Sequence, residues 1–179
     1  MNFKSKFSFS LPVFFYAIFL IAVSLWCSLI VAAPWLASNG HKLSSGLIYL
    51  FFSKICHQIP GRSFFILGKQ LAVCSRCTGL YFGFLFGTIL YPLIFKLNRN
   101  WIPSRKYLLI ALIPITIDIA IRTLNIAENT FASRLITGLI LGAMTALFTL
   151  PGILSIKYKV FQKLIITKSN TSGEILKIH

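Results

Sequence analysis

The chain has 179 residues, of which 56% are hydrophobic and only three are acidic, against eighteen Lys and Arg. A composition this apolar excludes an ordinary soluble domain and indicates an integral membrane protein. The net charge of +15 does not indicate nucleic acid, because the basic residues lie mainly in loops between apolar runs and no known nucleic-acid-binding motif is present.

Four apolar segments are long enough to cross a bilayer, which takes about 20 helical residues. They cover residues 11–37, 78–95, 107–126 and 135–156. The first is too long for the apolar part of a signal peptide, so we expect it to remain as a membrane helix. The sequence therefore predicts an all-α membrane protein with four transmembrane helices in a single domain (residues 1–179), ending in a basic tail over 157–179.

A fifth apolar stretch, residues 43–53, lies between Lys42 and Lys54 and is too short to cross a membrane. We expect a short interfacial or re-entrant helix there. It leads into a polar loop over residues 54–77.

The distribution of Lys and Arg predicts the orientation. With four crossings and cytoplasmic termini, eleven of the eighteen basic residues fall on the inside; if 43–53 also crossed, only eight would. The eleven are Lys4, Lys6, Lys96, Arg99, Arg105, Lys106, Lys157, Lys159, Lys163, Lys168 and Lys177. We therefore expect both termini in the cytoplasm and the polar loop at the outer face.

The polar loop concentrates sulfur and imidazole ligands. Cys56, His57, Cys74 and Cys77 lie within 22 residues. Three thiolates and one imidazole form a common tetrahedral zinc set, so zinc or another thiophilic metal is the predicted cofactor. His57 is the least secure ligand, because ligation by adjacent residues strains the backbone.

The same cysteines allow two other interpretations. Arg62 and Arg76 would compensate the charge of a three-thiolate metal site, but without a metal they would lower thiol pKa values. At an oxidising outer face, Cys74 and Cys77 could then exchange a disulfide. Inert structural cysteines are the third interpretation.

Polar residues also occur at the predicted outer ends of the last two membrane segments. Asp118 and Arg122 are four residues apart, hence on one helix face and able to pair. Asp118 is the only aspartate in the chain and, if water is activated at this site, is the candidate for the base or for an extra metal ligand. A buried structural ion pair is the competing interpretation. A wider set is a candidate anion site for a lipid phosphate, with snorkelling as the alternative: Arg62, Arg76, Arg122 and Arg134.

Small residues recur every four positions on two predicted membrane helices. One run is Gly79, Gly83 and Gly87; the other is Gly138, Gly142 and Ala146. This spacing lets helix backbones approach closely, so we predict that these two helices pack together.

The polar motifs resemble a known family. The matching strings are CHQxPxRSF at residues 56–64, Gly68, and CxRCxGxYxG at residues 74–83, followed by PxxxD at 114–118 and RxxTGxxxG at 134–142. The pattern is similar to that of a prokaryotic membrane-protein family known as domain of unknown function 2085. The resemblance implies a small multi-span protein of a prokaryotic inner membrane, with Cys56, His57, Cys74 and Cys77 as its marked positions, and it implies no particular activity. Ile119 and Arg122 depart from the pattern expected around Asp118.

Three functional interpretations follow. The first is a membrane metalloprotein acting as a hydrolase on an amphiphilic substrate, with Asp118 as base. The second is a thiol–disulfide oxidoreductase linked to quinone, using Cys74 and Cys77 with Cys56 as resolving thiol. The third is a non-enzymatic accessory subunit. The predicted partners are the lipid bilayer and, by interpretation, an anionic lipid or a quinone.

Overall fold

The computed structural model describes the backbone of residues 3–95, 104–125 and 128–175, with side chains for residues 13–95, 104, 106–125 and 128–153. Most of the described residues are helical, and they form five α-helices. In chain order these are α1 (Phe3–Ser38), α2 (Lys42–Ser53), α3 (Ser75–Ile94), α4 (Arg105–Thr123) and α5 (Phe131–Ile175). Between α2 and α3 lie a 3₁₀ helix (Pro60–Arg62) and a small hairpin of β1 (Phe65–Ile66) and β2 (Lys69–Gln70).

Among the described residues, three helical segments have the length and hydropathy of membrane spans: Val13–Ser38, Ser75–Ile94 and Phe131–Ile153. They correspond to the first, second and fourth predicted spans. The third predicted span coincides with α4, whose 19 residues include Lys106, Asp118 and Arg122. Because of these charges, α4 lacks the apolar character of the three candidate spans. Of the four membrane helices predicted from the sequence, three therefore have the character of membrane spans.

Other predictions of helix extent need adjustment. The short helix expected before the polar loop is present as α2. The last helix is longer than predicted, because α5 continues to Ile175 through most of the expected basic tail. Several basic residues that entered the orientation count, Lys96, Arg99 and Lys177, lie outside the described residues.

The most extensive helix contact in the described chain is between α3 and α5. It confirms the packing predicted from the glycine spacing. A Cβ atom placed on Gly83 would lie 2.3 Å from the Leu139 carbonyl oxygen, and one on Gly142 would lie 2.1 Å from the Leu80 carbonyl oxygen. Backbone therefore touches backbone, and no side chain heavier than hydrogen fits at these positions.

The order of the contacts shows that α3 and α5 run parallel. Gly79 meets Leu135, Gly83 meets Leu139, and Gly87 meets Ala143. Both residue numbers rise by four at each step. The two helices therefore begin at the same end of the bundle, next to the polar loop.

Helix α1 runs antiparallel to this pair. The Tyr16 hydroxyl donates to the Thr88 carbonyl at 3.0 Å, and the Cys27 thiol donates to the Tyr81 carbonyl at 3.5 Å. Between them, the rings of Phe19 and Phe84 lie 6.0 Å apart. Helix α2 folds back on α1, where the buried Ser45 hydroxyl donates to the Ala33 carbonyl at 3.0 Å.

The glycine contacts give a stability prediction. We expect Gly142→Ala to lower the free energy of unfolding by about 1–3 kcal/mol, because the new methyl group meets the α3 backbone, which cannot rotate away. Gly152→Ala on the same helix is the matched control, since its Cβ meets nothing within 4 Å and alanine favours helix. Thermal unfolding in detergent, followed by circular dichroism, measures both. Equal midpoints for the two variants would contradict the close packing.

Candidate metal centre

Three cysteine sulfurs meet where the polar loop joins α3. The Sγ atoms of Cys56, Cys74 and Cys77 all lie within 4.8 Å of one another. All four cysteines of the chain belong to the described residues, and each is a free thiol. The fourth, Cys27, is buried within α1, as expected for a small apolar residue.

Cys56 is held by the end of α2. Its backbone N–H donates to the Phe52 carbonyl at 2.9 Å, which extends the last turn of the helix. The Cys56 side chain is 5% exposed and belongs to a buried cluster with Phe52 and Val73. The first sulfur therefore lies at the edge of an apolar core.

Cys74 is the N-cap residue of α3, with extended backbone angles. Residues 71–73 precede it and are almost completely buried, so they fix the path of the chain into the helix. The Cys74 backbone N–H donates to the Cys56 sulfur at 3.2 Å. This bond joins the two halves of the loop.

Cys77 lies in the first turn of α3, three residues after Cys74. Cys74, at the N-cap of this 20-residue helix, lies where the free N–H groups and the helix dipole favour a thiolate. Hydrogen bonds from the Cys56 and Cys77 thiols lower the pKa of Cys74 well below that of an ordinary thiol. One sulfur of the three is therefore readily ionised at neutral pH.

Gln58 is the main organiser of the loop. Its backbone is left-handed, with φ of 49°, and its side-chain amide donates to the Tyr49 and Ala72 carbonyls, both at 2.8 Å. The Gln70 amide in turn donates to the Gln58 carbonyl at 2.6 Å and to the Ser63 hydroxyl at 3.1 Å. The two glutamines thereby hold the Cys56 and Cys74 segments together.

A tight hairpin reverses the chain between the cysteines. Phe65 pairs with Gln70, and Ile66 pairs with Lys69. The turn residues Leu67 and Gly68 have φ of 52° and 71°, as a two-residue type I′ turn requires. Gly68 supplies the second left-handed position of this turn.

His57 lies apart from the sulfurs. Its side chain is exposed, and the ligand group found among the described residues contains the three cysteines without it. Gln58, in its left-handed conformation, sets the chain direction directly after His57. The structure therefore brings together three of the four predicted metal ligands.

Asp118 pairs with Arg76 rather than with the expected Arg122. The Arg76 guanidinium forms an ion pair with the Asp118 carboxylate, which is 7% exposed. Within the part of the chain that the structure describes, Arg122 makes no ion pair with Asp118, although the two are four residues apart. The Asn129 amide also donates to the Asp118 carbonyl at 2.6 Å. The ion pair links the beginning of α3 to α4, a long-range contact that sequence spacing could not reveal.

The remaining arginines occupy separate positions. Arg62 ends the 3₁₀ helix and is half-buried, Arg122 is half-buried on α4, and Arg134 is 7% exposed at the beginning of α5. Of the four arginines predicted to bind an anion, Arg76 is the one that forms the ion pair with Asp118 among the described residues. A joint anion site made by all four stays a prediction.

The spacing of the sulfurs limits their chemistry. Zinc–sulfur bonds of about 2.3 Å in a tetrahedral site place sulfurs about 3.8 Å apart. A separation of up to 4.8 Å therefore needs only a small contraction to enclose an ion. A disulfide needs a sulfur–sulfur distance of about 2.05 Å, and it would use two sulfurs and leave the third unpaired.

Comparisons with known proteins agree with the membrane character of the chain. A family model described as "Predicted membrane protein (DUF2085)" matches residues 56–148, and this match begins at the first of the three clustered cysteines. No solved structure matches the chain.

Two archaeal relatives extend the match. The chain is 41% identical to "Uncharacterized protein MJ1492" of Methanocaldococcus jannaschii over 153 residues, which is 83% of this chain and 98% of the relative. It is 33% identical to an "Uncharacterized protein" of Methanothermobacter thermautotrophicus over 103 residues, 58% of this chain and 91% of the relative. With the family model covering residues 56–148, these similarities show that the chain belongs to the DUF2085 family of predicted membrane proteins.

Proposed function

We propose that Cys56, Cys74 and Cys77 bind one thiophilic metal ion, most readily zinc, at the membrane edge. The observation that carries this proposal is the gathering of three free thiols within 4.8 Å. Two features favour the thiolate form of Cys74, which a metal requires: hydrogen bonds from the neighbouring thiols lower its pKa, and the N-terminal end of α3 begins at this residue.

Three protein ligands leave one tetrahedral position for a water molecule or another oxygen ligand. This is the arrangement of catalytic rather than purely structural zinc sites. Two buried polar atoms next to the cysteines in sequence, Ser75 Oγ and Arg76 Nε, have no hydrogen-bond partner among the described residues. Buried donors of this kind are usually satisfied by water or by a ligand.

The function that we propose is a membrane metalloprotein whose metal-bound water acts on an amphiphilic substrate at the interface. Asp118 is the proposed base. Its ion pair with Arg76, which lies between Ser75 and Cys77, ties it to the ligand segment. Arg76 would release the carboxylate when a substrate anion competes for the guanidinium. Arg62, Arg122 and Arg134 are the further proposed contacts for such an anion, for example a lipid phosphate.

A second candidate is thiol–disulfide exchange by Cys74 and Cys77, with Cys56 as the resolving thiol and a quinone as electron acceptor. The lowered pKa of Cys74 favours it, because a thiolate is the attacking species. The two candidates differ in one respect that can be measured. A metal site protects all three thiols together, whereas a disulfide removes two.

We also propose that α4 crosses the membrane as a fourth span. Parallel packing of α3 on α5 supports this, because the chain leaves α3 at one end of the bundle and enters α5 at the other. Among the described residues, α4 is the only helix between them, and its 19 residues span about 28 Å, close to the ~30 Å of a hydrocarbon core. With cytoplasmic termini, the three sulfurs then lie at the outer face.

The fourth span predicts opposite accessibility for the two ends of α4. Ser104 and Glu128 are both exposed, and we expect Glu128→Cys to react with an impermeant maleimide on intact cells. Ser104→Cys should react only after permeabilisation. The wild type, whose cysteines are buried or half-buried, supplies the blank. Labelling of both positions from the same side would contradict a crossing by α4.

The metal centre predicts about one zinc ion per chain in detergent-purified protein. Cys56→Ser, Cys74→Ser and Cys77→Ser should each reduce zinc content at least tenfold, because a hydroxyl is a much poorer zinc ligand than a thiolate. Elemental analysis together with thiol counting measures this. Absence of metal, with two thiols appearing only after reduction, would instead support the disulfide candidate.

Three matched variants test which residues belong to the site. Cys27→Ser should retain zinc, since Cys27 lies within α1 and bonds to the Tyr81 carbonyl. His57→Ala should also retain it, since His57 is exposed and outside the sulfur group. Asp118→Asn should keep the metal but lose thermal stability, because Arg76 would remain charged without its partner. Loss of zinc in His57→Ala would contradict this and would support the original prediction of four ligands that include His57.

A further inference from the structure

A cavity of about 480 Å³ lies between α1, α3 and α5. This volume falls within the ~300–1,000 Å³ of typical small-molecule sites. Its walls come from the middle of α1, the first half of α3 and the first half of α5, and include Phe19, Trp26, Tyr81 and Phe84. Every lining residue belongs to one of the three segments that have the character of membrane spans.

The cavity walls are almost entirely apolar. The hydroxyls of the two threonines in the lining donate to backbone carbonyls of their own helix. Thr145 donates to the Leu141 carbonyl at 2.6 Å, and Thr149 donates to the Thr145 carbonyl at 2.7 Å. The Cys27 thiol donates its hydrogen to the Tyr81 carbonyl. Such a cavity offers water few partners, so an apolar occupant is favoured.

The cavity opens onto the surface of the helix bundle. Ala22 contributes to its lining and is also exposed, so the space continues outward at this small residue. Its neighbour Ile21 is 59% exposed and points away from the lining. In a bilayer, the molecules that face such an opening are lipids.

One polar atom of the lining residues is left unsatisfied. Trp26 Nε1 is buried and has no hydrogen-bond partner among the described residues. An indole N–H can only donate, and a buried donor without an acceptor is costly. Trp26 packs against Tyr81, with ring centroids 5.8 Å apart, and Tyr81 lies one helical turn after Cys77. The unsatisfied donor therefore belongs to the end of the cavity nearer the sulfurs.

We infer that this cavity binds the hydrocarbon chain of a membrane lipid, with an oxygen atom at the head of the chain accepting a hydrogen bond from Trp26. The chain would extend from Trp26 towards Phe19 and Thr149. An ester or ether lipid and an isoprenoid with an oxygenated head share this chemistry. The site would direct the polar end of such a molecule towards the three cysteines, and it does not depend on whether they bind a metal.

The inference can be tested by photolabelling in vesicles of phosphatidylcholine that contain a small fraction of a phospholipid with a diazirine in one acyl chain. On α3, Phe84 lines the cavity, whereas Phe86 is 57% exposed and faces outward. We expect label at Tyr81 and Phe84 as well as at Phe86. Ala22→Phe should reduce labelling of Phe84 at least fivefold and leave Phe86 unchanged, while the matched Ile21→Phe should change neither.

Labelling of Phe86 without Phe84, or labelling of Phe84 that is insensitive to Ala22→Phe, would overturn the inference. Trp26→Phe tests the hydrogen bond, and we expect a severalfold loss of label at Phe84; unchanged labelling would remove the oxygen contact from the proposal. Mass spectrometry of lipid retained by the purified protein distinguishes the sources. An ester or ether lipid and an oxygenated isoprenoid differ in mass, and retention of either should decrease in Ala22→Phe.

Discussion

The contact between the backbones of α3 and α5 is the constraint on which the rest of the structure depends. Gly83 and Gly142 allow it, since a single methyl group at either position would overlap a carbonyl oxygen of the other helix. Because the two helices are parallel, their first turns meet at one end of the bundle. Cys77 and Arg134 therefore begin neighbouring helices at the same level, and the polar loop that precedes α3 closes over that end. Parallel neighbours also require a return connection, and we propose that α4 supplies it.

The sulfur centre combines this rigid platform with a loop held by polar contacts. Cys74 and Cys77 are fixed by the beginning of α3, while Cys56 reaches them through the end of α2 and the amides of Gln58 and Gln70. The Arg76–Asp118 ion pair ties the same turn to α4. Side chains that are held by helices and by such hydrogen bonds are positioned before any ion binds. The lipid-facing cavity begins one turn deeper, at Tyr81, so any occupant would lie directly beneath the sulfurs.

Local patterns in the sequence predicted the parts of this arrangement that depend on spacing. The GxxxG runs predicted the α3–α5 contact, and the density of cysteines predicted the cluster.

Predictions from sequence spacing failed where the two partners are distant in the chain. Asp118 has Arg122 one turn away, yet its ion pair is with Arg76, 42 residues earlier. His57 is adjacent to Cys56 but faces outward. The roles of Gln58 and Gln70 were missed because a glutamine carries no chemical signature of its own, although Gln58 lies inside the CHQ motif. The parallel direction of α3 and α5 likewise appears only in the three-dimensional contacts.

X-ray absorption at the zinc edge, on protein purified with zinc, tests the central claim most directly, because it reports which atoms surround the ion. We predict three sulfur neighbours at about 2.3 Å and one nitrogen or oxygen neighbour at about 2.0–2.1 Å, with the same spectrum for Cys27→Ser. A first shell of nitrogen and oxygen alone would contradict the account, since any zinc present would then lie away from Cys56, Cys74 and Cys77.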